Sequence, residues 1–343
     1  MENIVALVRP NIRRLQPYSS ARHEFEGLAE VYLDANENPF NTGFNRYPDP
    51  LQQALKNEIA KLKSIPADHI FLGNGSDEAI DLLFRIFCEP GKDEVIVLPP
   101  TYGMYQVAAD IHNVKVVSVP LNVDFQPNVS KIASVMNPNS KLLFLCSPNN
   151  PTGNSFEPEL MRQLLKTFKG IVVIDEAYID FAKQLSCLQW LSEYPNLVIM
   201  QTFSKAWGLA GLRLGMAFAN PFLIALFNKV KAPYNINQLT QHAVLEALTG
   251  AEQTKEWIKL LLEERAKLEK ALTEMPFVKQ VYPSDANFLL VKVDDPMALY
   301  QYLVQEGIVV RNRNTVLLCE GCLRITVGTS TENQRLLEQL EKF

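Results

Sequence analysis

Long apolar runs are missing from this 343-residue chain. No stretch approaches the ~20 apolar residues that a membrane-spanning helix needs. Residues 1–9 carry neither a basic cluster nor a long hydrophobic segment, so no signal peptide is expected. Positive charge is not concentrated either. Thirty-three Lys and Arg stand against 38 Asp and Glu, for a net charge of −5. No basic stripe breaks that balance, which argues against a nucleic-acid binder. Cysteine is scarce: Cys88, Cys146, Cys187, Cys319 and Cys322 make an odd number at irregular spacing. Cys319 and Cys322 do form a C-x-x-C pair. No second pair or nearby histidine completes a zinc site, and Leu323 leads directly into an apolar strand. These cysteines read as reduced thiols of a cytoplasmic protein that binds no metal. Internal repeats and low-complexity segments are also lacking. What is present is an ordinary globular balance, 47% hydrophobic and 21% charged, on a chain too long for one small core. That length fits one large domain with a smaller one attached.

Residues 1–30 show no long period and read as an arm, associated with the small domain, that leads into an extended segment at 30–34. Two loops follow at 35–40 and 45–50, marked by their Asn and Pro content. Residues 51–63 have helical spacing, with Leu51, Leu55, Ile59 and Leu62 on one face. From about residue 70 the pattern alternates strand and helix. Apolar runs lie at 70–72, 95–98, 114–119, 142–146, 171–174, 197–200 and 214–219. Strands that are apolar throughout and separated by helices imply an α/β domain, a mostly parallel sheet covered on both faces in three α/β/α layers. Trp257, Leu261, Leu268 and Leu272 keep helical spacing through a charged helix that would join two domains. Strands at 288–293, 308–310 and 323–327 then form a smaller α+β domain. The expected division is an arm over 1–30, a large domain over 31–255 and a small domain over 256–343.

In open parallel sheets, ligands bind beyond the carboxyl ends of the strands. After the first strand comes Gly73-Asn74-Gly75-Ser76-Asp77 at a helix start, where free N–H groups and a hydroxyl suit a phosphate. After the second comes Pro99-Pro100-Thr101-Tyr102, whose tyrosine could stack on a flat ring. Ser147-Pro148-Asn149-Asn150-Pro151-Thr152-Gly153 is a rigid loop able to point an amide inward. Asp175-Glu176-Ala177-Tyr178 puts a carboxylate at the end of a buried strand, which is costly unless a cation meets it. Last comes Thr202-Phe203-Ser204-Lys205, with Arg213 eight positions beyond the lysine. Partial burial would lower the amine's pKa and make it a nucleophile toward carbonyls. Thr202, Ser204 and Arg213 would offer a phosphate two hydroxyls and a guanidinium. Each feature has a bland explanation alone: a capped helix, a sheet-edge tyrosine, a surface lysine. Together they supply every part that one cofactor, pyridoxal 5′-phosphate, requires.

With these motifs in this order, the chain resembles the fold-type I pyridoxal-phosphate aminotransferases over essentially its whole length. More narrowly it is similar to the histidinol-phosphate aminotransferases, through Arg9-Pro10-Asn11, Pro17-Tyr18, Asp34-Ala35-Asn36-Glu37-Asn38-Pro39, Asn45-Arg46-Tyr47-Pro48, the 99–105 stretch and Gly321-Cys322-Leu323-Arg324-Ile325-Thr326-Val327-Gly328. Phosphothreonine decarboxylases and aromatic amino-acid aminotransferases are near relatives of that group. The resemblance implies that Lys205 is the lysine joined to the cofactor, that Asp175 pairs with the pyridine nitrogen, and that Tyr178 and Asn150 bond the ring's phenolic oxygen. It implies Tyr102 on the ring face, and Gly75, Ser76, Asp77, Thr202, Ser204 and Arg213 around the cofactor phosphate. Tyr47 would reach that phosphate from the other subunit of a homodimer. On the substrate side it implies Asn36, Arg324 for an α-carboxylate, Arg311 for a substrate phosphate, and Tyr18 near the same phosphate. Arg313, two residues beyond Arg311, is a rival for that role. The implied reaction is L-histidinol phosphate + 2-oxoglutarate = imidazole acetol phosphate + L-glutamate, a step of histidine biosynthesis.

Overall fold

The computed structural model describes residues 2–18 and 30–343. Eleven strands fall into two sheets among the described residues. The larger holds β1 (Ile70–Asn74), β2 (Glu94–Val97), β3 (Lys115–Ser118), β4 (Ser140–Cys146), β5 (Ile171–Asp175), β6 (Leu197–Thr202) and β7 (Leu214–Phe218), in the order β1-β7-β6-β5-β4-β2-β3. Only β7 runs against its neighbours, β1 and β6; the other strands share one direction. The mostly parallel α/β reading therefore describes this fold.

The unbroken apolar runs follow from burial on both faces. Successive side chains of a strand point to opposite sides. Leu143, Leu145, Val172, Ile174, Leu197 and Ile199 pack into one core. Their neighbours Leu142, Phe144, Ile171, Val173, Val198 and Met200 pack into another on the far face. A strand with two buried faces has no position for a polar alternation.

The smaller sheet holds β8 (Val278–Val281), β9 (Phe288–Val293), β10 (Arg311–Asn312) and β11 (Cys322–Thr326), antiparallel in the order β10-β11-β9-β8. It has its own core around Leu289, Val291, Leu299, Leu303, Leu323 and Ile325. The helix Ala251–Thr273 runs between the two units. Leu261 touches both cores, and Leu268 and Leu272 are buried in the small one.

Some details depart from the sequence expectations. β8 was not expected: it is a short edge strand whose middle residues, Lys279 and Gln280, are exposed, so it has no apolar run. The strand expected at 308–310 lies instead at Arg311–Asn312. The Ile308 N–H is still bonded to Leu303 O (2.7 Å), finishing the helix Pro296–Gln305 before pairing starts. The arm was expected beside the small domain. Its described part differs: Ile4, Val8 and Ile12 are buried in a core of the large sheet, and Arg9 bonds Glu89 (3.0 Å). Residues 19–29 of that arm lie outside the described residues.

Candidate active site

A cavity of about 690 Å³ opens at the ends of the large-sheet strands and is closed on one side by the small sheet. Gly75, Ser76 and Asp77 enter it after β1, Tyr102 after β2, Asn150 after β4, Asp175 and Tyr178 at the end of β5, Thr202 at the end of β6, and Ser204 and Lys205 just beyond it. Arg213 arrives just before β7, because β7 alone is reversed and so begins where its neighbours end. Arg311 and Arg324 come from β10 and β11. Thirteen of the sequence-derived candidates thus line one space. Asn36 and Tyr47 do not. They line a separate hollow of about 590 Å³, where Tyr47 stacks on Tyr234 at 4.4 Å. Tyr18 is exposed and lines neither.

The phosphate end is built on close backbone approach. Gly75 has φ +70°, and a Cβ on it would stand 2.7 Å from the Arg213 guanidinium. The Gly75 N–H donates to Arg213 O (2.8 Å), joining the start of the helix Gly75–Phe87 to the start of β7. Gly215 on β7 lies tighter still: a Cβ there would meet Ser76 N at 2.2 Å. The free N–H groups of a helix start, which bind anions well, are thereby aimed into the cavity beside Arg213. Asp77 pairs with Arg213 (3.4 Å) and accepts from the Tyr102 hydroxyl (3.2 Å), so its carboxylate braces the arginine. Thr202 and Ser204 are joined by a hydroxyl–hydroxyl bond of 3.0 Å.

The segment holding Lys205 is fixed at both ends. The Phe203 N–H donates to Leu214 O (3.1 Å), closing the connection between β6 and β7, and Leu209 N–H folds back onto Phe203 O (3.1 Å). The Lys205 side chain faces the open cleft, so it is accessible. The surrounding walls still displace water, and that burial is the first cause lowering its pKa; Arg324 adds to it and Asp175 opposes it. Its Nζ lies 5.7 Å from the centre of the Tyr178 ring.

Asp175 is 3% exposed and makes no ion pair among the described residues. It accepts from the Tyr105 hydroxyl (2.7 Å) and the Ala177 N–H (3.1 Å). Burial raises its pKa, while the Tyr105 bond pulls it down. A buried carboxylate in this condition calls for a cationic N–H. Tyr105 closes the 99–105 stretch. It is fully buried and stacked on Phe144 at 4.5 Å, and nothing in its residue type distinguishes it from a core tyrosine. Of the two asparagines, Asn149 is structural: its amide donates to Pro100 O (2.8 Å) and Thr152 Oγ1 (2.7 Å). Asn150 faces the cavity and accepts a hydrogen bond from Arg324.

The opposite wall is cationic. Arg311, Arg313 and Arg324 all line the cavity, and none makes an ion pair among the described residues. The buried Nε atoms of Arg313 and Arg324 have no hydrogen-bond partner among the described residues. Tyr178 packs edge-on against Phe288 (5.2 Å), and Arg324 lies over that same ring (5.1 Å), so the two walls meet there. This donor set fits pyridoxal phosphate: a glycine cradle with an arginine for its phosphate, an uncompensated carboxylate for its ring nitrogen, an amine for its carbonyl.

A family profile described as aminotransferase class I and II matches residues 22–340. Histidinol-phosphate aminotransferase of Bacteroides fragilis is 54% identical over 344 residues, covering 100% of each chain. The protein of that name from Parabacteroides distasonis is 55% identical, covering 100% of this chain and 99% of its own. Among solved structures, the histidinol-phosphate aminotransferase from Clostridium acetobutylicum superposes with a TM-score of 0.80 at 25% identity, over 88% of this chain and 91% of that one. With a profile spanning most of its length and full-length relatives more than half identical, the chain belongs to the class I and II aminotransferase family, in its histidinol-phosphate aminotransferase group.

Proposed function

We propose that this protein is a pyridoxal-phosphate-dependent transaminase that converts L-histidinol phosphate and 2-oxoglutarate to imidazole acetol phosphate and L-glutamate in histidine biosynthesis. The observation that carries the reading is one cleft that joins an amine, Lys205, a buried carboxylate and three arginines without ion-pair partners among the described residues. The relatives that share half of its residues along their full length bear the name of that activity.

When bound, pyridoxal phosphate supplies a carbonyl that condenses with amines and a ring that draws electrons from the adjacent carbon. Gly75, Ser76, Asp77, Thr202, Ser204 and Arg213 would hold its phosphate, Asp175 its ring nitrogen, Asn150 and Tyr178 its phenolic oxygen, and Tyr102 its ring face. Tyr105 keeps Asp175 oriented through its hydroxyl, a bond that favours the ionised carboxylate against the effect of burial. The lowered pKa of Lys205 leaves more of its amine unprotonated near neutrality, as a base must be. Tethered in the cleft, Lys205 Nζ takes the proton from the substrate α-carbon and carries it to the acceptor atom beside it. Arg324, steadied by Asn150, grips the α-carboxylate of glutamate. Arg311 meets the distal anion, a γ-carboxylate in one half-reaction and a phosphate in the other. The small unit from residue 256 onward is thus the part that recognises substrate, and the large unit the part that holds cofactor.

The enzyme acts as a cytoplasmic homodimer with shared sites. Tyr47 supports this, because it lines a hollow apart from the cavity of its own chain, next to exposed Phe44 and Leu239. No helix among the described residues is long and apolar enough to cross a membrane. The purified holoenzyme should be given histidinol phosphate, aromatic amino acids or phosphothreonine, each with 2-oxoglutarate, recording glutamate formed and carbon dioxide released. Glutamate formed fastest from histidinol phosphate supports the proposal. Faster transfer from an aromatic amino acid, or carbon dioxide from phosphothreonine, would overturn it.

A further inference from the structure

We propose that Arg313 sets the cleft's preference for a phosphate dianion over a carboxylate, by forming a two-guanidinium seat with Arg311; this rests on the substrate reading above. Arg313 directly follows β10, two positions beyond Arg311, and its backbone continues the pairing with β11, so the two side chains leave on the same side. Arg311 stands opposite Arg324 in the β10–β11 register, and the Arg313 N–H bonds Cys322 O (2.9 Å). The three guanidinium groups therefore share one face of the small sheet, and all three border the cavity.

Such an arrangement is costly while empty. Burial and then the charges of Arg324 and Arg311 disfavour the protonated form of Arg313. Several arginines elsewhere are paired with carboxylates: Arg9 with Glu89, Arg46 with Glu37, Arg162 with Glu193. Here, among the described residues, no carboxylate answers and the buried Arg313 Nε has no acceptor. An anion from outside is the compensating charge. Arg324 already donates to Asn150, which leaves Arg311 and Arg313 to meet the phosphate of the substrate. A carboxylate has two coplanar oxygens, and one guanidinium fork satisfies both. A phosphate ester has three oxygens in a tetrahedron and a second negative charge, so a second fork adds bonds only for the phosphate.

The test compares holoenzymes of wild type, Arg313→Gln, Arg313→Lys and Arg311→Gln. In these the cofactor fills its own phosphate site. Kinetics are measured for histidinol phosphate and for glutamate, with inorganic phosphate as competitive inhibitor against glutamate. Arg313→Gln should lower kcat/KM for histidinol phosphate about 10- to 100-fold, chiefly through KM, and for glutamate by less than about threefold. The Ki of inorganic phosphate should rise about as much as that KM, and Arg313→Lys, which keeps the charge but not the fork, should fall between. Equal losses for both substrates, or an unchanged phosphate Ki, would overturn the proposal. If wild type does not turn over histidinol phosphate, the substrate reading fails, and the phosphate Ki still decides the role of Arg313. If Arg313→Gln cannot retain the cofactor, Arg313→Lys carries the same comparison.

Discussion

At the scale of single residues, Asp175 is the clearest point of tension. Burial lifts its folded pKa above the ordinary value of about 3.9. Between those two values the folded chain holds a proton that the unfolded chain has released. Stability of the cofactor-free protein therefore declines as pH rises from about 4 through the folded pKa, and levels off above it. Asp175→Asn should flatten that decline and raise the urea midpoint at neutral pH. Glu176, also raised by burial, keeps its own share of the slope. The same substitution should reduce kcat/KM of the holoenzyme about 100- to 1000-fold, by leaving the ring nitrogen without its counter-charge. Urea titrations across pH and steady-state rates check the two halves; a less stable Asp175→Asn apoprotein would contradict the first. Much of this site was legible because each strand end broadcast a residue whose burial or charge needed a partner. Tyr105 and Gly215 were not legible. A core tyrosine and a strand glycine carry no such demand until their neighbours are known.

Among elements, the contact between β7 and the helix Gly75–Phe87 is the tightest near the site. Gly215→Ala would thrust a methyl group onto Ser76 N and Gly75 C, at 2.2 and 2.3 Å, and the helix start must move. We expect a cost of about 1–3 kcal/mol, with weakened retention of the cofactor. Calorimetry with and without pyridoxal phosphate would show it, as a larger drop in Tm for the holoenzyme than for the apoprotein. A second element, the loop 45–52, is secured by Lys231, whose ammonium donates to Pro50 O (2.8 Å), Ala232 O (3.1 Å) and Pro233 O (2.7 Å). Buried Lys56 lies near enough to repel it, and burial with that repulsion pushes Lys56 down to about 8. Lysine unfolded titrates near 10.4, so the folded chain binds fewer protons from about pH 8 to 10 and gains stability across that window. Lys56→Met should be neutral or stabilising at pH 7 and should reduce the alkaline gain. Lys231→Met should cost about 2–4 kcal/mol, since it strands the Ala232 and Pro233 carbonyls and leaves Pro50 O with Gln52 alone. Denaturant unfolding at pH 7 and 9.5 separates the two, and a destabilising Lys56→Met would refute the repulsion. Elements with two buried faces were readable as apolar runs. β8 and β10 were not, because one is an exposed edge and the other is two residues long.

At the scale of the whole molecule, the helix Ala251–Thr273 carries Leu261 against both cores, so the cationic wall and the cofactor wall are set by one rod. If Tyr47 completes the site of the other subunit, Lys205→Ala and Tyr47→Ala homodimers should each be impaired for different reasons. Unfolded and reassembled together in equal amounts, half of the dimers are mixed, and each mixed dimer has one site with both residues intact. About a quarter of wild-type activity should then appear. Activity no greater than the average of the two variants would place Tyr47 outside the shared site.

The reversal of β7 has a further consequence, which concerns the history of the chain more than its energetics. Because β6 and β7 are paired from Thr202 and Gly215, residues 203–213 span a fixed gap. Inserting or deleting one residue there would leave the strands in register and slide Lys205 relative to Arg213. Point changes at Ala210 or Gly211, which are exposed, leave that spacing alone. Descendants of this gene can therefore drift in the identity of those residues, and not in their number, while the enzyme stays active.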